Sequence, residues 1–469
     1  MTDQGATIDI LAALQNSLGP AGCFRGDDIP ERFRTDWSFL PPAKPIAALR
    51  PASTAEVSAI MRHCHAHRVP VTPQGGLTGL CGGARPLDGG VALSLERMSG
   101  IEALDRDGMT MTVLAGTPLE VIQKAAAAEG LFFPLDLGAR GSCTIGGNMS
   151  TNAGGNRVIR YGMTRDLVLG VEVVLPDGTV LPMLNKMIKN NAGYDLKQLF
   201  LGSEGTLGVI TRAVLRLSPQ PGCTNAALCI VRDYDAVLAV LATARRRLGP
   251  LLSAFEVMWA DYWYQATTCV PGMRAPVTMG DGSHAILIEM QGLDESIDGA
   301  RFESFLEFLM EEGLVQDGAV AQSLADTADF WATRDAAAEF ANPAVIGPHI
   351  SFDVGLPVSR MDEFAHRAKA ALLAEAGCQS VYYGHVGDGN LHVVAWCPGA
   401  SPQPLADASR IVYGIVSDVE GTVSAEHGIG SLKKPYLPLS RGAAEIDLMR
   451  RLKAALDPNG VLNPTKIFD

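Results

Sequence analysis

Three glycine-rich clusters, each joined to a short apolar run, set the strongest limit on how this chain can fold. The first, Pro73-Gln74-Gly75-Gly76-Leu77-Thr78-Gly79-Leu80, follows a run at 69–72 that reads as a strand. Such a loop exposes consecutive backbone N–H groups that can gather round a pyrophosphate. Glycine permits the close approach and the positive φ values. The spacing is not G-x-G-x-x-G, and no acidic residue follows where a ribose would be held, so a nicotinamide-binding Rossmann site is disfavoured. The second cluster contains Pro134-Leu135-Asp136-Leu137, Gly141-Ser142-Cys143-Thr144-Ile145-Gly146-Gly147-Asn148 and Asn152-Ala153-Gly154-Gly155. The third, Gly202-Ser203-Glu204-Gly205-Thr206-Leu207-Gly208-Val209-Ile210, pairs a glycine turn with a buried strand. Together they suit a long cofactor lying extended across a domain. A loop-rich α+β domain with many tight turns is the other reading.

The rest of the chain supplies two bodies' worth of elements. At 469 residues it exceeds one ordinary core, and 47% hydrophobic with 19% charged residues is a normal globular balance. An amphipathic helix is expected at 8–17, before a proline-rich approach at Pro41, Pro42 and Pro45. Ser53-Thr54-Ala55-Glu56 opens a helix reaching about His67. Strands are expected at 91–95, 110–114 and 167–175, the last ending in the turn Pro176-Asp177-Gly178-Thr179. Beyond Leu217, Pro219 and Pro221 break the chain; helices at 234–248 and 298–312 then alternate with strands at 227–231 and 285–290, an α+β rhythm. The expected domains are 1–219, 220–405, and a segment 406–469 that returns to the first.

The net charge of -13, with basic residues dispersed apart from Arg245-Arg246-Arg247, argues against a nucleic-acid partner. It says little about a small anionic substrate. Nine cysteines without a CxxC pair, and an acidic start at 1–9, read as reduced thiols in a cytoplasmic protein. No apolar run of about 18 residues is present to span a membrane; peripheral attachment to an inner membrane stays open.

By geometry the most informative stretch is His385-Val386-Gly387-Asp388-Gly389-Asn390-Leu391-His392. Asp-Gly is a favoured two-residue hairpin tip. With Asp388-Gly389 there, His385 opposes His392, and opposed residues project from one face with Cβ atoms about 4.5–5.5 Å apart. Two imidazoles then converge as a metal site requires. Glu426, in Ser424-Ala425-Glu426-His427-Gly428-Ile429-Gly430, is a further candidate ligand. Two histidines, a carboxylate and an open fourth position form a familiar catalytic zinc arrangement; manganese or cobalt also suits it. A surface histidine pair with Glu426 elsewhere is the alternative. On an extended segment neighbours face opposite ways, so His427 can address a substrate while Glu426 reaches the metal. It is a candidate general base, or else a satisfied buried histidine.

Nearly the whole chain resembles the vanillyl-alcohol oxidase / p-cresol methylhydroxylase flavoproteins, and within them the D-2-hydroxyglutarate and FAD-linked D-lactate dehydrogenases. The likeness is most specific at 73–83, 134–162, 193–210 and 385–392. It implies an α+β fold: a two-part FAD-binding domain with an inserted α+β substrate (cap) domain. It places Gln74, Gly75, Gly76, Thr78 and Gly79 at the pyrophosphate, and Ser142, Gly146, Asn148, Asn152 and Ile210 along the rest of the flavin. The implied cofactor set is completed by Pro73, Leu80, Pro134, Leu137, Gly141, Ile145, Gly154, Glu204, Gly205, Gly208 and Asn463. Some relatives tether FAD through a histidine in the first loop; Gly75, Gly76 and Leu77 stand here, which implies non-covalent FAD.

The resemblance also implies a metal at His385, His392 and Glu426, a base at His427, and a carboxylate-gripping arginine at Arg334. A surface ion pair is the other reading of Arg334. The reaction implied is oxidation of a D-2-hydroxy acid to the 2-oxo acid. The expected route passes hydride from C2 to flavin N5 and the hydroxyl proton to His427, with a carbanion route as the alternative. The chain departs from the hydroxyglutarate enzymes in three places: Ser351-Phe352-Asp353 replaces Lys-x-Asp, Ala338 a threonine, and Val394 an asparagine. Losing a cation and two donors weakens selection for a second carboxylate. A shorter or less charged acid such as D-lactate is therefore expected ahead of D-2-hydroxyglutarate, although the flavin loops look more like the hydroxyglutarate branch. A non-catalytic flavin-binding protein, a sugar or alcohol oxidase and an ether-lipid synthase relative are the rivals. The electron acceptor stays open among oxygen, a quinone, an electron-transfer flavoprotein and a cytochrome; a homodimer is the expected assembly.

Overall fold

The computed structural model describes residue 15 and residues 18–280 and 282–468, so the helix expected at 8–17 falls outside the described residues except for Gln15. The chain divides into two compact units. The first comprises the described part of Met1–Gly155, Gly162–Gln220 and Glu426–Asp469; the second comprises Asn156–Tyr161 and Pro221–Ala425.

In the first unit, the helix Thr54–Ala66 starts where Ser53 accepts the Glu56 amide at 3.2 Å and Glu56 accepts the Ala52 amide at 2.7 Å. Its Val57, Ile60, Met61 and Cys64 pack on Val71, Val91 and Leu93 in one core. Those three belong to a four-stranded sheet in which Ala47–Leu49, Val91–Ser94 and Val71–Gln74 run parallel. The strand expected at 69–72 lies two residues later. The Val69 amide is spent on the Cys64 carbonyl, and the ladder begins at Val71, whose amide meets the Val461 carbonyl. The strand therefore delivers the chain straight into Gly75. A second, antiparallel sheet takes the order Ile101–Asp105, Thr110–Leu114, Val209–Arg216, Val168–Val174, Val180–Met183.

The second unit is built on a seven-stranded antiparallel sheet, ordered Asp317–Val320, Cys223–Val231, His284–Gly292, Leu252–Trp259, Gln379–Gly384, Asn390–Trp396, Ile350–Gly355. Helices Tyr234–Arg247, Glu295–Glu311 and Met361–Ala376 pack on its strands. Glu295–Glu311 starts ahead of the expected 298 because Asp294 caps it and the buried Asp298 turns back to the Leu293 and Asp294 amides. The arginine run ends Tyr234–Arg247: Arg245 donates to the Gly387 carbonyl at 2.7 Å, and Arg247 lies 3.7 Å over the Phe308 ring.

Two expectations are corrected. The helix Leu405–Asp418 packs on Met361–Ala376, so 406–425 stay with the second unit and the return to the first begins at Glu426. Cys378 and Cys397 stand one cross-strand pair beyond Gln379↔Trp396 and form a disulfide, their Cα atoms 4.1 Å apart, so the thiols are not all free. Among the described residues, no helix is long and apolar enough to cross a membrane.

Candidate active site

All three glycine clusters line one cavity of about 390 Å³ in the first unit. The loops stack too closely for side chains: a Cβ on Gly76 would stand 2.1 Å from the Ser142 carbonyl oxygen, and one on Gly146 2.8 Å from the Ala115 Cβ. On the open side, a Cβ at Gly79 or Gly138 would meet no heavy atom within 4 Å. Bare backbone thus faces a long cleft, which fits a dinucleotide laid against peptide groups. Gly76→Val should cut the FAD retained on purification and lower stability by about 1–3 kcal/mol through overpacking; flavin absorbance per protein and thermal melting measure both.

Of the residues expected at the cofactor, Pro73, Gln74, Gly75, Gly76, Thr78, Gly79, Leu80, Leu137, Gly146, Asn148, Gly154, Glu204, Gly205, Gly208 and Ile210 line this cavity. Six do not. Gly141 and Ser142 are exposed, and Pro134 and Ile145 are buried. Asn152, at φ 52°, ends the helix Ile145–Thr151 and accepts the Arg165 amide. Asn463 donates to the carbonyls of Gly83 and Glu204 at 3.1 and 2.8 Å, tying the C-terminal segment to two of the loops. Gln74 lines the cleft, yet its amide nitrogen is committed to the Phe33 and Ala84 carbonyls. Trp37 and Ala115 also line it and carry no local signal in the sequence.

Glu426 and His427 line the same cavity. Their segment bends rather than extends, with Gly428 at φ 79°, so the alternating-face argument does not apply. Two carboxylates hold the bend. Glu426 accepts the Gly155 amide at 2.6 Å, and Glu204 accepts the Ile429 and Gly430 amides, each at 2.7 Å. Burial pushes the Glu204 carboxyl above its usual range despite those two bonds.

In the second unit the hairpin register differs from expectation. Tyr383, not His385, stands opposite His392, and residues 385–389 form a wider loop whose Asp388, Gly389 and Asn390 amides all turn to the His385 carbonyl at 3.1–3.2 Å. That shift is two residues, and side chains alternate with period two. His385 therefore keeps its face, and the His385 and His392 rings stand 5.3 Å apart, edge to face at 80°. Two imidazoles this close on one face suit a shared cation.

His385 also belongs to a buried network that the sequence did not announce. Glu256, on Leu252–Trp259 and 1% exposed, takes the His385 Nδ1 at 2.7 Å on Oε1 and the Arg334 Nε at 2.8 Å on Oε2. Arg334 Nη1 reaches Asp335 at 3.0 Å and Nη2 lies 3.0 Å from His385 Nε2. Burial would raise the Glu256 carboxyl, but His385 and Arg334 outweigh it and hold the group below its usual range. Arg334 is thus an interior residue rather than a surface ion pair. A second carboxylate, Glu289, joins Arg157 Nε at 3.1 Å, Ser253 Oγ at 2.8 Å and Trp331 Nε1 at 3.0 Å. At the three departures, Ser351 and Ala338 are exposed, and Val394 is buried in an apolar cluster. Asp353 is fully buried and accepts the Ala425 amide at 3.0 Å.

Residues 45–183 match the family described as FAD binding domain, and residues 220–467 that described as FAD linked oxidases, C-terminal domain. The mitochondrial D-2-hydroxyglutarate dehydrogenase of Bos taurus is 39% identical over 98% of this chain and 83% of its own length. The D-2-hydroxyglutarate dehydrogenase of Xanthomonas citri pv. viticola is 40% identical over 94% of this chain and 92% of its own length. A putative mitochondrial D-lactate dehydrogenase of Schizosaccharomyces pombe is 36% identical over 98% and 87%. Among solved structures, substrate-bound p-cresol methylhydroxylase superposes with a TM-score of 0.80 at 18% identity, covering 100% of this chain and 98% of that one. An alkyldihydroxyacetonephosphate synthase gives 0.75 at 16%, covering 97% and 86%; at these identities both speak for the fold alone.

Proposed function

The chain belongs to the FAD-linked oxidase family of oxidoreductases, and on that premise we propose that it oxidises a D-2-hydroxy acid to the 2-oxo acid, using non-covalent FAD and a divalent metal, zinc by preference. The observation carrying this reading is the pair of imidazoles, His385 and His392, meeting on one face of the hairpin. Glu426 is the third proposed ligand; it directly follows Ala425, whose amide is tied to Asp353, the cross-strand neighbour of His392. Two nitrogens and a carboxylate are a donor set that suits zinc.

When bound, FAD supplies the two-electron sink and the ion supplies Lewis acidity toward the C2 hydroxyl. An imidazole nitrogen of His427 takes the hydroxyl proton as C2 gives up its hydrogen with the electron pair. Arg334 holds the substrate carboxylate, its guanidinium aimed by Glu256. The bonds from Glu204 and Glu426 fix the His427 turn, so the base is placed before substrate arrives.

The exposed Ser351 and the apolar setting of Val394 favour an acid with a short or uncharged side chain. The names of the relatives support a second reading, D-2-hydroxyglutarate. Anaerobic flavin bleaching with a panel of D- and L-2-hydroxy acids tests both. Reduction by D-acids and not by L-acids is expected, with D-lactate ahead of D-2-hydroxyglutarate. The reverse order selects the second reading, and bleaching by none of the acids overturns the function.

A further inference from the structure

One neighbour of His385 fixes which of its nitrogens carries the proton. A carboxylate only accepts hydrogen bonds and a guanidinium only donates them. Glu256 Oε1 stands 2.7 Å from Nδ1, so Nδ1 carries the hydrogen. Arg334 Nη2 stands 3.0 Å from Nε2 and 3.3 Å from Nδ1, nearly equidistant from the two, so it lies over the ring rather than along the in-plane lone pair of Nε2. The carboxylate alone therefore sets the tautomer, and it is itself anchored, since Glu256 Oε2 holds Arg334 Nε.

From this arrangement we propose that Glu256 is a positioning residue for the metal, holding His385 in the tautomer whose Nε2 is the ligand atom. The inference rests on the metal-assisted reading above. A carboxylate on the far nitrogen of a metal-bound imidazole fixes the ring and strengthens the donor.

The test is zinc affinity of the FAD-loaded protein, measured by competition with a chromogenic chelator and needing no turnover. Glu256→Gln should weaken zinc by about ten- to a hundredfold, because a carboxamide cannot accept from both His385 and Arg334. Arg334→Met leaves the Glu256 carboxylate on Nδ1 and should leave zinc close to its parental affinity. Where Glu256→Gln does not accumulate as FAD-loaded protein, Glu256→Asp, whose carboxylate falls short of the ring, should weaken zinc in the same direction. Parental affinity in the Glu256 variant, or an equal loss in the Glu256 and Arg334 variants, overturns the proposal. If the parent binds no zinc, manganese or cobalt, the metal-assisted reading falls with it. If the parent binds metal and only the variants behave otherwise, this inference alone fails.

Discussion

With His427 replaced by asparagine, a D-2-hydroxy acid should reduce the flavin about 10²–10⁴ times more slowly than in the parent, the usual range for loss of a general base. Asparagine keeps a polar group near the ring's inner nitrogen but cannot take a proton. In the surrounding turn Glu204 holds the Ile429 and Gly430 amides and Glu426 holds the Gly155 amide, bonds that the substitution leaves in place. FAD content and melting temperature should therefore match the parent, and the loss should lie in the rate of bleaching rather than in substrate affinity. Anaerobic stopped-flow at several substrate concentrations separates the two. A parental rate would remove the base role from His427.

His392→Ala should lower turnover by about 10³-fold. The Lewis acidity of a bound ion is worth several kcal/mol, and roughly 4 kcal/mol is a factor of 10³ in rate. The substitution also leaves the His385 ring without its edge-to-face neighbour 5.3 Å away, and Tyr383 without the ring centred 5.0 Å from its own. Elemental analysis should find the variant depleted of metal. Chelator treatment of the parent should reproduce the loss, with zinc restoring the parent and not the variant. Full activity in a chelated, metal-free parent would refute the metal-assisted mechanism.

What the sequence revealed depended on how local each signal was. The glycine clusters were legible because a Cβ at Gly76 or Gly146 has nowhere to go, a demand that leaves its mark at the residue itself. The Pro219–Pro221 break marked the crossing at Gln220 for the same reason. The hairpin was misjudged by two residues, since the Asp-Gly pair favours a tight tip while the His385 carbonyl collects three amides in a wider one. The imidazole pair was still found, because an even shift preserves the face and an odd one would have separated the rings. Glu256 escaped notice altogether. It lies on a strand of apolar residues, 78 positions before Arg334 and 129 before His385, and only the sheet brings the three together. The return to the first unit was placed too early because Leu405–Asp418 reads the same whichever core its apolar face covers.

Six residues, Asn156–Tyr161, leave the first unit and rejoin it at Gly162. Within the second unit Arg157 neutralises Glu289, Arg160 donates to the Leu251 carbonyl, and the Tyr161 hydroxyl meets Gln291. A gene fragment spanning only 221–425 would omit all three and strand the Glu289 charge in an interior where the remaining Ser253 and Trp331 donors carry no positive charge. The second unit is therefore not a cassette that can be lifted out between its obvious ends. Grafting it onto another flavoprotein requires two cuts in the recipient, the first of them beside the glycine whose amide the Glu426 side chain holds.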